Sequence, residues 1–409
     1  MPKSAKHESA RDFKPGPIGW VRRRVLPLLA RGSALLGVLI LAGWITGRVL
    51  TDQHHWSQYL WWVPPIWAIG IAWALLVFSW VCSKLARRLG GLFLRPLLLF
   101  LSLGCSVYLV FGVWHMQRII SIEGNRPTGI RVLNWNIAGT KIQENGLWTQ
   151  LLKHQPDIVL LANPRWGQDQ RTILQSLAPL APSEPESETF IASHGFRVQG
   201  LPGHFNITHR ALIASRFPIL KVGLVSDGAI LNREKTARRS GDHGWIIFAQ
   251  FDTRDDPTQT LDPLTVWFVD LPSEPSKWRA EQMQRMHNAL DEWGGEIWVP
   301  NEQRWVSTQS EMKTFPEPDL IIGDFNNLRG SDSLDILAPG YSDAFSQSGY
   351  GRGRSWVPGS TNRWARQPIK LADWHIDLAL TAPGVEATRY ELIKPDRGPH
   401  RVQVVDFKR

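Results

Sequence analysis

Asp319-Leu320-Ile321-Ile322-Gly323-Asp324-Phe325-Asn326-Asn327 runs three apolar residues into a glycine, an acid and an amide. A short apolar run of this kind reads as a buried strand, ending at a glycine where the backbone must turn with no Cβ in its way. Asp324 and Asn326 follow at the strand's C-terminal end, two residues apart and therefore on one side of the sheet. A carboxylate and a carboxamide so placed can hold a water and a phosphoryl oxygen together. Taken alone, the same residues would read as a strand and an Asp/Asn turn.

Working outward, Ile130-Arg131-Val132-Leu133-Asn134-Trp135-Asn136 alternates with period two over much of its length and delivers Asn136 to a strand end. Asp157-Ile158-Val159-Leu160-Leu161-Ala162-Asn163 is a second apolar strand ending in an amide. Leu147, Trp148, Leu151 and Leu152 have helical spacing between the two. Further strands are expected at Ala211–Ser215, Trp245–Phe251 and Thr265–Leu271, then a helix over Lys277–Trp293. Beyond Asp324 come Asp343-Ala344-Phe345, a glycine-rich loop over Gly349–Gly353, and strands at Ile376–Leu380 and Val402–Phe407.

Toward the N-terminus the texture is different. Three apolar stretches, Gly32–Leu50, Pro65–Cys82 and Pro96–Trp114, each approach the length that crosses about 30 Å of hydrocarbon. Their interiors hold no Asp, Glu, Lys or Arg, with Arg48 in the last turn of the first, and Trp44, Trp61, Trp62, Trp67, Trp80 and Trp114 sit near their ends. Three such runs in succession read as three transmembrane helices. The first lacks the small-residue cleavage site of a signal peptide. With no ionisable group deep in the spans, a transporter role is disfavoured.

The chain is 409 residues long with a formal charge of +9, but the charge is unevenly placed. Residues 1–118 hold 14 Lys+Arg against 3 Asp+Glu, and the remainder 32 against 34. The basic balance belongs to the anchor, so the high pI is no sign of nucleic-acid binding. Basic residues in the tail and in Ser83–Arg88, with none in Thr51–Tyr59, place the tail inside and the C-terminal part outside the cytoplasm. Cys82 and Cys105 both fall in apolar runs, so the C-terminal part has neither disulfide nor thiol chemistry. The expected organisation is a basic cytoplasmic tail at 1–24, an anchor at 25–118, a linker at 119–127 and a catalytic-type domain at 128–409.

The order of motifs resembles the endonuclease/exonuclease/phosphatase superfamily, the DNase I-like group. The residues that carry the resemblance are Leu133–Asn136, Asp157–Asn163, Arg210–Pro218, Gly323–Asn326, Ser355-Trp356, His375–Asp377 and His400-Arg401. The resemblance implies an α/β fold, a β-sandwich of two mixed sheets in four layers with flanking helices, and a site at the strand ends. It also implies Asp324 as the water-orienting carboxylate, Asn136 and Asn326 as donors to phosphate, and His400 on the phosphate with its ring fixed by Asp377. Three positions depart from the pattern. Asn163 stands where a metal-binding glutamate is expected, Asp270 where a histidine is common, and Pro399 where an acid precedes the last histidine.

The expected function is hydrolysis of a phosphodiester or phosphomonoester by a membrane-tethered, extracytoplasmic enzyme using Mg²⁺ or Mn²⁺. Asn163, Asp270 and Asp324 are the candidate metal ligands. A lipid headgroup or a nucleic acid would be the substrate. The alternative is a catalytically degenerate domain that binds a phosphorylated ligand or a protein at the cell envelope. His375 and Arg216 read as structural, Asp343 as a loop cap, and Arg352 and Arg354 as solvated charges.

Overall fold

The computed structural model describes residues 20–86, 93–121, 129–137, 153–163, 204–207, 211–227, 243–253, 262–299, 304–307, 314–357, 371–372, 374–395 and 398–409. The expected helix around Leu147–Leu152 and most of the 119–127 linker lie outside these residues. Two compact units emerge, one of Met1–Ile45 with Trp67–Tyr108, the other of Thr46–Ile66 with Leu109–Arg409.

Four helices come first: α1 (Val21–Leu50, opening in a π turn), α2 (His55–Trp61), α3 (Pro65–Ala86) and α4 (Leu94–Val113, closing in one). All but α2 are long and apolar enough to cross a membrane. Within the first unit they are joined by small residues and hydroxyls. Ser79 Oγ donates to the Ala30 carbonyl at 2.6 Å and Trp73 Nε1 to Ser106 Oγ at 3.1 Å. Gly37 admits the Leu98 side chain, which a Cβ there would meet at 2.8 Å. Close approach through small residues is how helices associate where burial of apolar surface supplies no drive.

The second unit is a sandwich of two mixed sheets. The six-stranded sheet has the order β13 (Glu386–Ile393), β14 (Val402–Lys408), β1 (Ile130–Asn136), β2 (Ile158–Ala162), β4 (Ala211–Ser215), β3 (His204–Ile207). The eight-stranded sheet runs β11 (Ser342–Asp343), β12 (Asp377–Thr381), β10 (Leu320–Asp324), β7 (Leu264–Asp270), β6 (Trp245–Phe251), β5 (Ile219–Ser226), β8 (Glu296–Val299), β9 (Arg304–Ser307).

Period two divides the apolar residues of the second sheet between two cores. Trp245, Ile247, Phe268, Leu320 and Ile322 face the first sheet, meeting Val132, Ile158, Leu160 and Val405. Ile246, Phe248, Val269 and Ile321 point the other way, onto Met283, Met286 and Leu290 of helix α5 (Arg279–Asp291). Each such side chain contributes about 1.5–3 kcal/mol by leaving water. Strands covered on both faces carry unbroken apolar runs, which is why β7 and β10 do. Two strands are less legible: β13, at a sheet edge, alternates polar and apolar residues with its charged groups outward, and the interior strand β5 is interrupted by Lys221 and Gly223.

Trp61 differs from the interfacial position its neighbours in sequence suggest. It is 5% exposed and packs on Leu328 and Ile376 of the sandwich. Helix α2 belongs to the second unit, and so does the chain after α4, where Arg118 donates to the carbonyls of Phe345 and Gly349 at 3.1 and 3.0 Å. Phe345 lies in the short helix α7 (Ala344–Ser348), preceded by α6 (Leu334–Leu337).

Candidate active site

Strand register builds the site. Asp324 pairs with Asp377 across β10 and β12 and with Asp270 across β10 and β7. Three carboxylates therefore stand in one row on adjacent strands, spaced by about 5 Å at the backbone. Gly323 lets β10 approach β7 this closely: its φ is +151°, and a Cβ would lie 2.0 Å from the Val269 carbonyl oxygen.

The first sheet faces this row with amides and an imidazole. Asn136, at the end of β1, donates from Nδ2 to Asp324 Oδ2 at 2.9 Å. Asn163, just past β2, has φ +52° and donates to Asp270 Oδ2 at 2.6 Å and Asn136 Oδ1 at 3.2 Å. His400, just before β14, sets Nδ1 3.0 Å from Asp377 Oδ1 and 3.6 Å from Asp324 Oδ2. The structure thus joins six of the seven expected site residues in one connected set. Asn326 is adjacent, but its side chain is turned aside: its backbone N–H donates to Asp324 Oδ1 at 3.0 Å, while Nδ2 donates to the Leu271 carbonyl at 2.8 Å. In this arrangement its amide nitrogen holds the exit of β7.

Burial sets the electrostatics. Asp324, Asp377 and His400 are all buried. Burial pushes the Asp324 carboxyl well above the usual carboxylate range; the charges of Asp377 and Asp270 add to this and His400 opposes it. Burial alone would lower His400, but the charges of Asp377 and then Asp324 outweigh it and raise the imidazole from 6.5 to about 9. His400 is an imidazolium at neutral pH, while burial and the neighbouring acids make Asp324 hold its proton more tightly than an ordinary carboxyl.

Two supports hold the start of β12: Ser355, from the motif Ser355-Trp356, and Tyr390, which has no signal of its own in the sequence. Ser355 Oγ accepts from the backbone N–H groups of Ile376 and Asp377, both at 2.9 Å, fixing the start of β12. Tyr390 OH donates to the Asp377 carbonyl at 3.2 Å, receives Gln403 Nε2 at 2.7 Å and meets His375 Nε2 at 2.9 Å. Burial keeps His375 neutral, in the structural role expected of it. Asp343 caps α7 by accepting from the N–H groups of Phe345 and Ser346, and Arg216 pairs with Asp157 at 2.9 Å. Arg352 Nη2 donates to the Leu371 carbonyl at 2.7 Å.

A profile of the endonuclease/exonuclease/phosphatase family matches residues 133–397, more than half of the chain. The chain belongs to the endonuclease/exonuclease/phosphatase family. Its structure resembles that of a zebrafish (D. rerio) TDP2 complexed with a single-strand DNA product, at 16% identity and TM-score 0.41, over 69% of this chain and 100% of that one. It also resembles a mannosyl-6-phosphatase from Bacteroides thetaiotaomicron, at 14% identity and TM-score 0.41, over 68% and 99%. A 3′ phosphatase from Neisseria bound to a product DNA hairpin aligns at 14% identity and TM-score 0.37, again over 68% and 99%. A comparison with curated proteins gave no match.

Members of the family are nucleases and phosphatases that typically use a divalent metal, and the donors present in this member fit a hard cation. Asp324, Asp377 and His400 offer ligand atoms within 4.8 Å of one another. His400 Nδ1 is already engaged by Asp377, so the oxygen-bearing side of the set, Asp324 with Asp270, Asn163 and Asn136, is the better match to an oxygen-seeking ion. Three carboxyl groups meet a single imidazole in this set, an excess of acids that suits a divalent cation.

Proposed function

We propose that this family member is a membrane-anchored, extracytoplasmic phosphoesterase that depends on a divalent cation, Mg²⁺ or Mn²⁺. The observation that carries the reading is the buried row Asp270-Asp324-Asp377 closed by His400. Asp324, Asp270 and Asn163 would hold the cation, which supplies charge neutralisation at the phosphoryl oxygens. Asp324 would orient the attacking water and take its proton. His400, with Nδ1 held by Asp377, presents Nε2 as a cationic donor to a phosphoryl oxygen. Asn136 fixes the Asp324 carboxylate for in-line attack.

Placement rests on charge and connectivity. Two crossings, α3 and α4, would separate the α1–α3 connection from the sandwich and leave both on one side of the bilayer, a reading that their membership of one unit supports. Basic residues on the tail and on the connection after α3 favour the extracytoplasmic side for both. A C-terminal part with 32 basic and 34 acidic residues offers no broad footprint for a duplex, which favours a phospholipid headgroup or another envelope phosphoester as substrate.

The second reading, a domain that binds a phosphorylated ligand or a protein without turnover, is favoured by Asn163, whose amide hydrogen-bonds Asp270 where a ligating glutamate is expected. Hydrolysis of bis-p-nitrophenyl phosphate by the full chain in nanodiscs, with Mn²⁺ or chelator, separates the two. The enzyme reading expects turnover that chelator removes and that falls at least a hundredfold in Asp324→Ala and His400→Ala. Folded protein with no metal-dependent turnover would leave the binding module.

A further inference from the structure

The connection between the first two spans is built into the catalytic unit. Asp52, 0% exposed, accepts from Asn327 Nδ2 at 3.2 Å and from the Ser333 N–H at 3.2 Å, and also from Ser333 Oγ. Its carbonyl receives Trp278 Nε1 at 2.8 Å. Gln58 accepts from the Arg279 N–H at 3.1 Å and donates to the Lys277 carbonyl at 3.1 Å. Trp61 Nε1 donates to Ser331 Oγ at 2.8 Å while its ring packs on Leu328 and Ile376. Trp62 receives Trp374 Nε1 on its carbonyl at 3.1 Å.

These partners are not scattered. Asn327, Leu328, Ser331 and Ser333 form the loop that leaves Asp324; Lys277 to Arg279 follow the strand that ends in Asp270; Trp374 and Ile376 precede Asp377. The loops are also tied to each other, by the Phe325 N–H to the Ile376 carbonyl at 3.0 Å and the Arg329 N–H to the His375 carbonyl at 2.9 Å. We infer that Thr51–Trp62 is a strap that positions the three carboxylate-bearing strand ends, with Asp52 as the positioning residue for the loop after Asp324. The inference rests on the proposed roles of Asp270, Asp324 and Asp377. A buried carboxylate taking several donors from one loop fixes that loop's conformation, because removing it leaves each donor without a partner in a dry site. Within residues 1–118 it is the one acid that follows the basic tail.

The test uses the full chain in nanodiscs, comparing wild type with Asp52→Asn, Asp52→Ala, Asp52→Glu and Trp61→Phe. Amide hydrogen exchange is followed at 325–333 and at β1 and β6, with Mn²⁺ affinity and bis-p-nitrophenyl phosphate kinetics on the same samples. Asp52→Asn is expected to speed exchange in 325–333 at least tenfold with β1 and β6 unchanged, and to weaken Mn²⁺ binding about tenfold. It should lower kcat at least tenfold with KM within twofold, and Asp52→Glu should recover part of each loss. Exchange in 325–333 that stays at the wild-type rate in Asp52→Asn and Trp61→Phe would overturn the strap, as would a loss of protection spread evenly over both sheets. If Asp52→Ala fails to fold, the isosteric Asp52→Asn still decides. Wild-type protein without turnover would sink the hydrolase reading alone, since exchange and Mn²⁺ binding report on the strap independently.

Discussion

At the scale of single residues, His400 and Asp324 make the fold sensitive to pH in one direction. Each binds its proton more tightly in the folded chain, His400 at about 9 against 6.5 and Asp324 above its ordinary 3.8. A raised value stabilises the fold fully below the unfolded pKa, and the stabilisation is lost as pH rises through the folded one. For His400 this window runs from about 6.5 to about 9, and at ~1.4 kcal/mol per pKa unit the loss is roughly 3 kcal/mol. Metal-free protein should melt several degrees lower at pH 9 than at pH 6.5, with a smaller drop in His400→Gln. Equal drops in the two would place the pH dependence elsewhere. Asn163→Glu tests the ligand assignment. Its carboxylate would face Asp270, 2.6 Å from the present amide nitrogen, from a backbone with φ +52° that suits Asn. The variant should lose about 1 kcal/mol without metal and gain at least tenfold in Mn²⁺ affinity by isothermal titration. Unchanged affinity would remove Asn163 from the metal shell.

At the scale of elements, Gly323 is the position where sequence and geometry agree most closely, as a buried apolar run stopped by a residue without Cβ. Gly323→Ala would drive a methyl into the Val269 carbonyl at a positive φ, and should cost roughly 3 kcal/mol or more. Gly340→Ala, with φ +78° but open space, should cost only about 1 kcal/mol. Comparable losses in thermal unfolding would show that the close approach of β7 and β10 is not what demands the glycine. The same reasoning explains what could be read from sequence. β1, β2, β4, β6, β7, β10, β12 and β14 are covered on both faces or alternate cleanly, and Asn136, Asp324, Asp377 and His400 sit at the ends of β1, β10, β12 and β14. β5 and β13 carry no such run: Lys221 and the buried Gly223 interrupt β5, and Glu386, Arg389 and Glu391 break up β13. Asp52 escaped because its partners lie more than two hundred residues away, and a polar connection between two spans carries no mark of burial.

At the scale of the molecule, the connection between the first two apolar helices belongs to the same unit as the sandwich, which makes the proposed topology testable. In a background of Cys82→Ser and Cys105→Ala, Trp56→Cys and Leu220→Cys, both exposed in the wild type, should react with an impermeant maleimide from the same face of intact cells. Labelling from opposite faces would refute the three-span arrangement, and labelling of both only after lysis would put the sandwich in the cytoplasm. The place of β14 has a separate outcome. This strand, Val402–Lys408, is held between β13 and β1, with β1 pairing along Ile130–Asn134, and its start carries His400 beside Asp377. An interior position of the six-stranded sheet is therefore filled by residues made some 270 after the strand they pair with. Nothing can close that gap while the ribosome is still working through the intervening chain. The nascent protein must keep β1 and its apolar neighbours apart from other chains until synthesis passes residue 408, so maturation begins where translation of this segment stops.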